Sequence, residues 1–246
     1  MKILIASPTY DGTVRKEYMR SIMAATAWLD SRKIAWEWLI ESSTILSVMR
    51  SVMASKALMD GGFSHILFVD TDMGFSVDAI RKLIEADKPV VGCAYPYRTV
   101  PLDDAVEGPH RSIRSLISQA VPYAIGFPAG LSNLKVDKGL CEADSIGTGL
   151  LLISTEALAA MVRQGSAEAF RTAFPYSQWH HHAEYHGFFH HLTLDGAVLG
   201  EDYSFCHRWR AGCQGTIHAI VDEEIFHIGP LPVIGRYVDR LKAGKR

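Results

Sequence analysis

The apolar positions of this chain gather into short runs and then into spaced repeats, turn by turn through its first hundred residues. Lys2 to Ala6 is a run of strand length that stops at the polar loop Ser7-Pro8-Thr9-Tyr10-Asp11-Gly12, with proline and glycine as turn signals. Tyr18, Ile22, Ala25 and Leu29 then recur at helical spacing. Ile34 to Ile40 predicts a second strand ending at Glu41, before the loop Ser42-Ser43-Thr44. Met49, Val52, Met53 and Ala57 predict one face of a further helix, with Arg50 just off that face near its start and Gly61-Gly62 as its stop. Ile66 to Val69 has the unbroken apolar character of a strand buried on both faces. Val77, Ile80, Leu83 and Ile84 mark the next amphipathic helix, and Pro89 to Ala94 the next strand. This alternation with short links predicts an α/β fold: a mostly parallel central sheet flanked by helices.

Beyond Tyr95 the period loosens. Thr99 to Leu134 holds Pro101, Pro109, Pro122 and Pro128 without a steady repeat, the character of a functional loop or lid. Order is expected again at Leu134 to Val136, at Ala143 to Ser154, and in a short helix through Leu158, Met161 and Val162. Trp179 to Leu192, WHHHAEYHGFFHHL, is the most unusual stretch. His182, His186 and His190 would share a helix face, and histidines so spaced can bind zinc. Gly187 weakens such a helix and no His-Glu-x-x-His is present, so an aromatic, histidine-rich wall near a substrate, or plain surface, is the preferred reading. Gly200-Glu201-Asp202 opens a helix carrying Tyr203, Phe205, Cys206 and Trp209, and acids in a first turn are also what the helix dipole favours. Thr216 to Val221 is the last strand, and Ile225 to Gly229 brings His227 out of an apolar stretch. The expected organisation is a single domain with one half over about 1–98, a variable loop over about 99–134 and a second half over about 135–230.

Totals narrow the picture little. With 246 residues, 48% hydrophobic and 21% charged, the chain can bury a substantial core, and a net charge of −2 gives no general attraction to nucleic acid. The basic residues near the end, Arg236 to Arg246, read as a solvated tail. Four cysteines without a Cys-x-x-Cys spacing argue against a disulfide framework or zinc cluster. No run approaches the ~18 apolar residues of a membrane span, and Ile3 to Ala6 is too short for a signal-peptide core, so a cytoplasmic location is expected.

The chemistry concentrates at Asp70-Thr71-Asp72. Two carboxylates at the carboxyl end of a central strand stand where α/β sheets bind ligands. They suit Mn²⁺ or Mg²⁺, which accept one or two carboxylates and fill their other positions with substrate phosphates. Asp72 has a plainer reading as the cap of the helix beginning near Ser76. Neither Gly-x-Gly-x-x-Gly nor a P-loop occurs.

Taken in order, SPTYDG after the first strand, Arg50 opening a helix, VDTD, then Gly200-Glu201-Asp202 and His227 of FHIG resemble the GT-A-fold, nucleotide-sugar-dependent glycosyltransferases (of the DxD-containing, family-2-like kind) over about residues 2 to 229. The resemblance implies a Rossmann-like sandwich whose first half binds the nucleotide and whose second half faces the acceptor. It implies donor binding by Pro8, Thr9, Tyr10, Glu41, Arg50, Asp70 and Thr71, with Gly147, Thr148 and Gly149 letting the backbone approach the sugar or acceptor. Asp70, Asp72 and His227 would hold Mn²⁺ or Mg²⁺. Asp202 would be the general base of an inverting transfer, with Glu201 in that place if the helix is rotated by one residue; were neither so placed, a retaining transfer would follow. The second-strand loop lacks the family's common paired aspartates, which leaves the base of the nucleoside-diphosphate sugar donor unassigned. The acceptor stays open among glycan, lipid, protein and modified nucleobase. Three alternatives remain: a phosphatase of the haloacid-dehalogenase type with Asp70 as nucleophile, a nucleotidyltransferase with a related sheet, against which stands the lack of a glycine-rich, lysine-bearing first loop, and a nucleotide-sugar-binding module without turnover.

Overall fold

The structure is a computed structural model that describes residues 1–98, 113–128, 133–171, 184–229, 232–242 and 244. Its first half follows the expected alternation: β1 (Lys2–Thr9), α1 (Lys16–Ser31), β2 (Ala35–Ser42), α2 (Leu46–Met59), β3 (His65–Val69), a short β4 (Met73–Gly74), α3 (Val77–Glu85) and β5 (Val90–Cys93). The apolar runs are unbroken because both faces of the sheet are covered. In β3, Ile66 and Phe68 enter one core with Met49 and Met53 of α2, while Leu67 and Val69 enter the other with Ile22 of α1 and Ile80 of α3.

The central sheet has seven strands, in the order β2, β1, β3, Leu150–Ser154, β5, Ile217–Ile220, Leu140–Ala143. Strands β2, β1, β3, β5 and Ile217–Ile220 run one way, as the alternation predicts. Leu150–Ser154 runs against β3 and β5, and Leu140–Ala143 runs against Ile217–Ile220, so the sheet is mixed. Nothing in an apolar run tells its direction, and the reversed strand Leu150–Ser154 is as buried as its neighbours. It lies between β3 and β5, so residues from both halves of the chain build one sheet.

Several local expectations are revised. β1 continues through Pro8 to Thr9, in register with Glu41 and Ser42 of β2; β3 pairs with it only as far as Ala6, so Pro8 sits where one side of the strand is open and a missing N–H is tolerated. Leu134 to Val136 forms no strand. Asp72 does not cap α3: the Ser76 hydroxyl accepts from the Ala79 N–H at 3.1 Å. Glu184–His186 is a strand antiparallel to Ala169–Arg171, not a helix, so His186 and His190 do not share a helix face; His182 lies outside the described residues, as does half of Thr99 to Leu134, whose described half is not all loop but holds the helix Ile113–Ala120.

The segment following that strand explains why α2 is buried almost all round. The His186 N–H donates to Ser55 Oγ at 2.8 Å and the Phe189 N–H to Ser51 Oγ at 3.0 Å, which lays the chain along the outer face of α2. Phe189 then stacks on Phe205 of the helix Glu201–His207, with centroids 4.8 Å apart, and meets Phe68 of β3 edge-on at 5.2 Å. That aromatic bridge couples the end of β3 to the helix that begins at Glu201.

Candidate functional site

The carboxyl ends of β1 and β3, the start of α2, the helix Glu201–His207 and the stretch Tyr95 to Arg98 after β5 enclose a cleft of about 580 Å³. Pro8, Thr9, Tyr10, Arg50, Asp70, Thr71, Asp72, Glu201, Asp202 and His227 all line it. The strand topology brings them together. β1 and β3 are adjacent parallel strands, so their following loops open at the same edge, where α/β sheets bind ligands.

Arg50 is the most constrained charge in the cleft, at 3% exposure. Its Nη2 lies 2.9 Å from Asp70 Oδ1 and 3.2 Å from Oδ2, and its Nε 4.0 Å from Glu201 Oε1. Burial works against the guanidinium charge, but Asp70, Asp202 and Glu201 outweigh it and hold the group above its ordinary value. Its Nε and Nη1 are buried without a hydrogen-bond partner. Such donors call for an acceptor. On the other side of the pair, burial pushes the Asp70 carboxyl up, against the pull of Arg50 and with Asp72 adding to the rise. The Asp70 N–H donates to the Gly149 carbonyl at 3.0 Å, which fixes the end of β3 against the reversed strand.

Asp72 and His227 are joined by a second, smaller sheet. β4 pairs antiparallel with Ile225–Ile228, placing His227 opposite Met73, and the Ile228 N–H donates to the Asp72 carbonyl at 2.9 Å. His227 Nδ1 lies 2.7 Å from the Pro96 carbonyl, a contact that requires an N–H on that nitrogen. Nε2 is left facing Asp72 Oδ2 at 3.5 Å. Arg98 Nη1 reaches the same oxygen at 3.0 Å. Burial raises the Asp72 carboxyl, and His227 and Arg98 more than offset it, leaving the group below its ordinary value.

Asp202 sits in the first turn of its helix and accepts a hydrogen bond from the Thr148 hydroxyl. Burial, against the pull of Arg50 and with Glu201 and Asp70 adding like charge, pushes it up to about 7. A carboxyl poised there can exchange a proton near neutral pH.

Gly147, Thr148 and Gly149 are buried and are not among the cleft-lining residues. A Cβ on Gly147 would stand 2.1 Å from Tyr95 Oη, and one on Gly149 2.3 Å from Met73 Cε and 2.9 Å from Tyr95 Cζ. The glycines make room for the Tyr95 ring, whose hydroxyl accepts from the Gly149 N–H at 3.2 Å. Glu41 lies in register with Pro8 beside the cleft and does not line it. His190 packs on Phe170 and Tyr185, behind α2 and away from the cleft. Sequence reasoning missed Tyr95, Tyr97, Arg98 and Arg15, which also line the cleft, as do Asp11, Thr13 and Leu46. The Tyr95-Pro96-Tyr97-Arg98 stretch after an apolar strand is the signal that could have found three of them.

The donor chemistry can be weighed against a divalent ion. Asp11, Asp70, Asp72, Glu201 and Asp202 line the cleft against Arg15, Arg50 and Arg98, an excess of carboxylate that a hard cation would offset. Nε2 of His227 and Asp72 form one edge of such a site, with the imidazole oriented through its other nitrogen as metal-binding histidines are. Asp70 is turned to Arg50, and among the described residues no three His, Cys, Asp or Glu side chains form a group that could hold an ion by themselves. The expected three-residue set is therefore not assembled as one shell. What is present is an open edge, which fits an ion completed by phosphate oxygens and water.

No family model and no curated protein matches the chain. Solved structures show distant likeness. A197 from STIV is 15% identical with a TM-score of 0.49, over 93% of this chain and 86% of that one. A Drosophila beta-1,4-galactosyltransferase 7 mutant in complex with manganese, UDP-Gal and xylobiose is 14% identical with a TM-score of 0.35, over 65% of this chain and 51% of that one. The 4-diphosphocytidyl-2C-methyl-D-erythritol synthase of Anaerococcus prevotii is 12% identical with a TM-score of 0.34, over 73% of this chain and 80% of that one. The chain is an α/β protein with a mixed seven-stranded sheet, distantly similar in structure to glycosyltransferases and to this synthase.

Proposed function

We propose that this protein is a metal-dependent glycosyltransferase that moves a sugar from a nucleoside-diphosphate sugar to an acceptor hydroxyl. The observation that carries the reading is the meeting of His227 Nε2 and Asp72 Oδ2, 3.5 Å apart at the end of β3. With the Nδ1 proton committed to Pro96, only a second proton or a cation can lie favourably between these two acceptors. A divalent ion there supplies Lewis-acid stabilisation of the charge that grows on the departing diphosphate. Arg50, which lines the cleft and is held by Asp70, adds positive charge beside the place the diphosphate would take. Pro8, Thr9, Tyr10 and Thr71 wall the side of the cleft nearest β1, where the nucleoside would lie.

Asp202 is the proposed base, taking the proton of the acceptor hydroxyl as it attacks the sugar, which makes the transfer inverting. Thr148 orients that carboxylate from behind, and Glu201, turned towards Arg50, serves the charge balance instead. The phosphatase reading needs Asp70 free to attack phosphorus, and Asp70 is held by a buried arginine. A binding module without turnover would need no carboxyl poised near neutrality, as Asp202 is. The test is a panel of nucleotide sugars with Mn²⁺, read as released nucleoside diphosphate. Slow hydrolysis that chelation and Asp72→Ala both abolish is expected; no cleavage or binding of any donor would overturn the reading.

A further inference from the structure

Two arginines meet two aspartates in the cleft, and the pairs differ in one respect. The Arg50 side chain is 4% exposed and locked between Asp70 and Glu201, whereas that of Arg98 is 53% exposed and touches Asp72 from the solvent side. A half-exposed ion pair is weak and easily exchanged. The backbone beneath Arg98 is firmly held: the Tyr97 N–H donates to the Pro122 carbonyl at 2.9 Å, and Pro96 anchors His227. Gly229 lets the arginine stem lie flat across the end of the Ile225–Ile228 strand, since a Cβ there would stand 3.1 Å from Arg98 Cβ and 3.2 Å from Cδ. The guanidinium can therefore leave Asp72 by side-chain rotation alone, without moving the walls of the cleft.

We infer that Arg98 is a stand-in for the divalent ion: it neutralises Asp72 while no ion is bound, is released when the ion takes that carboxylate, and then meets the diphosphate of the donor. The inference rests on the metal-dependent reading above. It makes Arg98 a positioning residue in the empty cleft and a ligand contact in the loaded one. Its physical basis is charge. Asp70 and Asp72 stand two positions apart at the end of β3, and Arg98 Nη1 lies 3.0 Å from Asp72 Oδ2, so before an ion binds the chain itself supplies Asp72 with a full positive charge.

The experiment is a calorimetric titration of wild type and Arg98→Met with Mn²⁺ alone, followed by titration with adenosine, guanosine, uridine and cytidine diphosphates at saturating Mn²⁺. Arg15→Met, which removes a charge from the same cleft without an ion pair to Asp72, sets the general electrostatic background. Beyond that background, Arg98→Met is expected to bind Mn²⁺ about two- to five-fold more tightly, the size of an exposed ion pair, and to lose several-fold in diphosphate affinity. The Mn²⁺ gain should shrink with added salt, because the competing pair is solvent-screened. Opposite signs in the two titrations are what a merely structural role would not produce. Equal or weaker Mn²⁺ binding by the variant, or a gain matched by Arg15→Met, overturns the exchange while leaving the metal reading standing. Absence of Mn²⁺ binding in every protein overturns both.

Discussion

Replacing Asp202 by Asn should change the pH dependence of stability in a direction fixed by its surroundings. The folded protein holds this carboxyl at about 7, against 3.8 for an ordinary aspartate, chiefly by burial. Between those values the folded chain keeps a proton that the unfolded chain has released, so the unfolded state binds fewer protons and stability falls as pH rises. A shift of that size corresponds to at most roughly 4 kcal/mol, an upper bound because the residue keeps some contact with solvent. The contribution is whole below about pH 4 and gone above about pH 7. Asn has the same shape, still accepts the Thr148 hydroxyl hydrogen bond, and does not titrate. Thermal denaturation of the two proteins from pH 4 to pH 8 should therefore give matching Tm values at the acid end and a growing advantage for Asp202→Asn above it. At about 2–4 °C per kcal/mol for a chain of this size, the gap at pH 8 should be at most about 8–16 °C. A gap independent of pH, or a variant less stable than wild type at pH 8, would refute the assignment of a desolvated carboxyl. The same titration should appear inverted in catalysis: kcat/KM for transfer rises with pH through a midpoint near 7, because the base acts when ionised.

Other outcomes follow from particular contacts. Arg50→Ala should leave Asp70 without its buried partner and cost about 3 kcal/mol by urea denaturation, whereas replacing both residues by apolar ones of similar volume should recover much of that loss. Gly149→Ala should destabilise by about 1–3 kcal/mol, since a methyl group there drives into Met73 and Tyr95; denaturant midpoints with an unchanged m-value would check it. Ser76→Ala should cost about 1 kcal/mol by removing the cap of α3 while leaving Mn²⁺ affinity unaltered, and Asp72→Ala should show the reverse.

How far the residues alone foretell this arrangement depends on the range of the forces involved. β3 is legible because a strand covered on both faces must be apolar at every position, and Asp70 ends it because a carboxylate cannot continue such a run. The helices α1 and α3 are legible for the complementary reason, with one buried stripe each: Tyr18, Ile22, Ala25 and Leu29 in the first, Ala79, Ile80 and Leu83 in the second. α2 is read only in part. Its outer face carries Ser51 and Ser55, which look solvent-facing until the segment from His186 to Phe189 brings its backbone N–H groups to them. The spacing of that segment leaves its structure open, since histidines four apart fit a helix as well as they fit a strand and turn.

Of the residues of the cleft, Asp70 and Asp72 were nameable from their place at the end of an apolar strand, whereas Arg50, Glu201, Asp202 and His227 were named only through the order of motifs that resembles the glycosyltransferases. Their division of labour was legible in neither. Which aspartate meets Arg50 and which meets His227 depends on the pairing of β4 with Ile225–Ile228, a contact between residues more than 150 positions apart that leaves no trace in local periodicity. The same holds for Gly147 and Gly149, whose missing side chains leave room for the Tyr95 ring. Local hydrophobic pattern thus determined the strands, the helices and the edge of the sheet where charge collects, because burial acts residue by residue along an element. Strand direction, carboxylate partners and the elevation of Asp202 were decided only when distant segments packed together, because ion pairing and desolvation act through space.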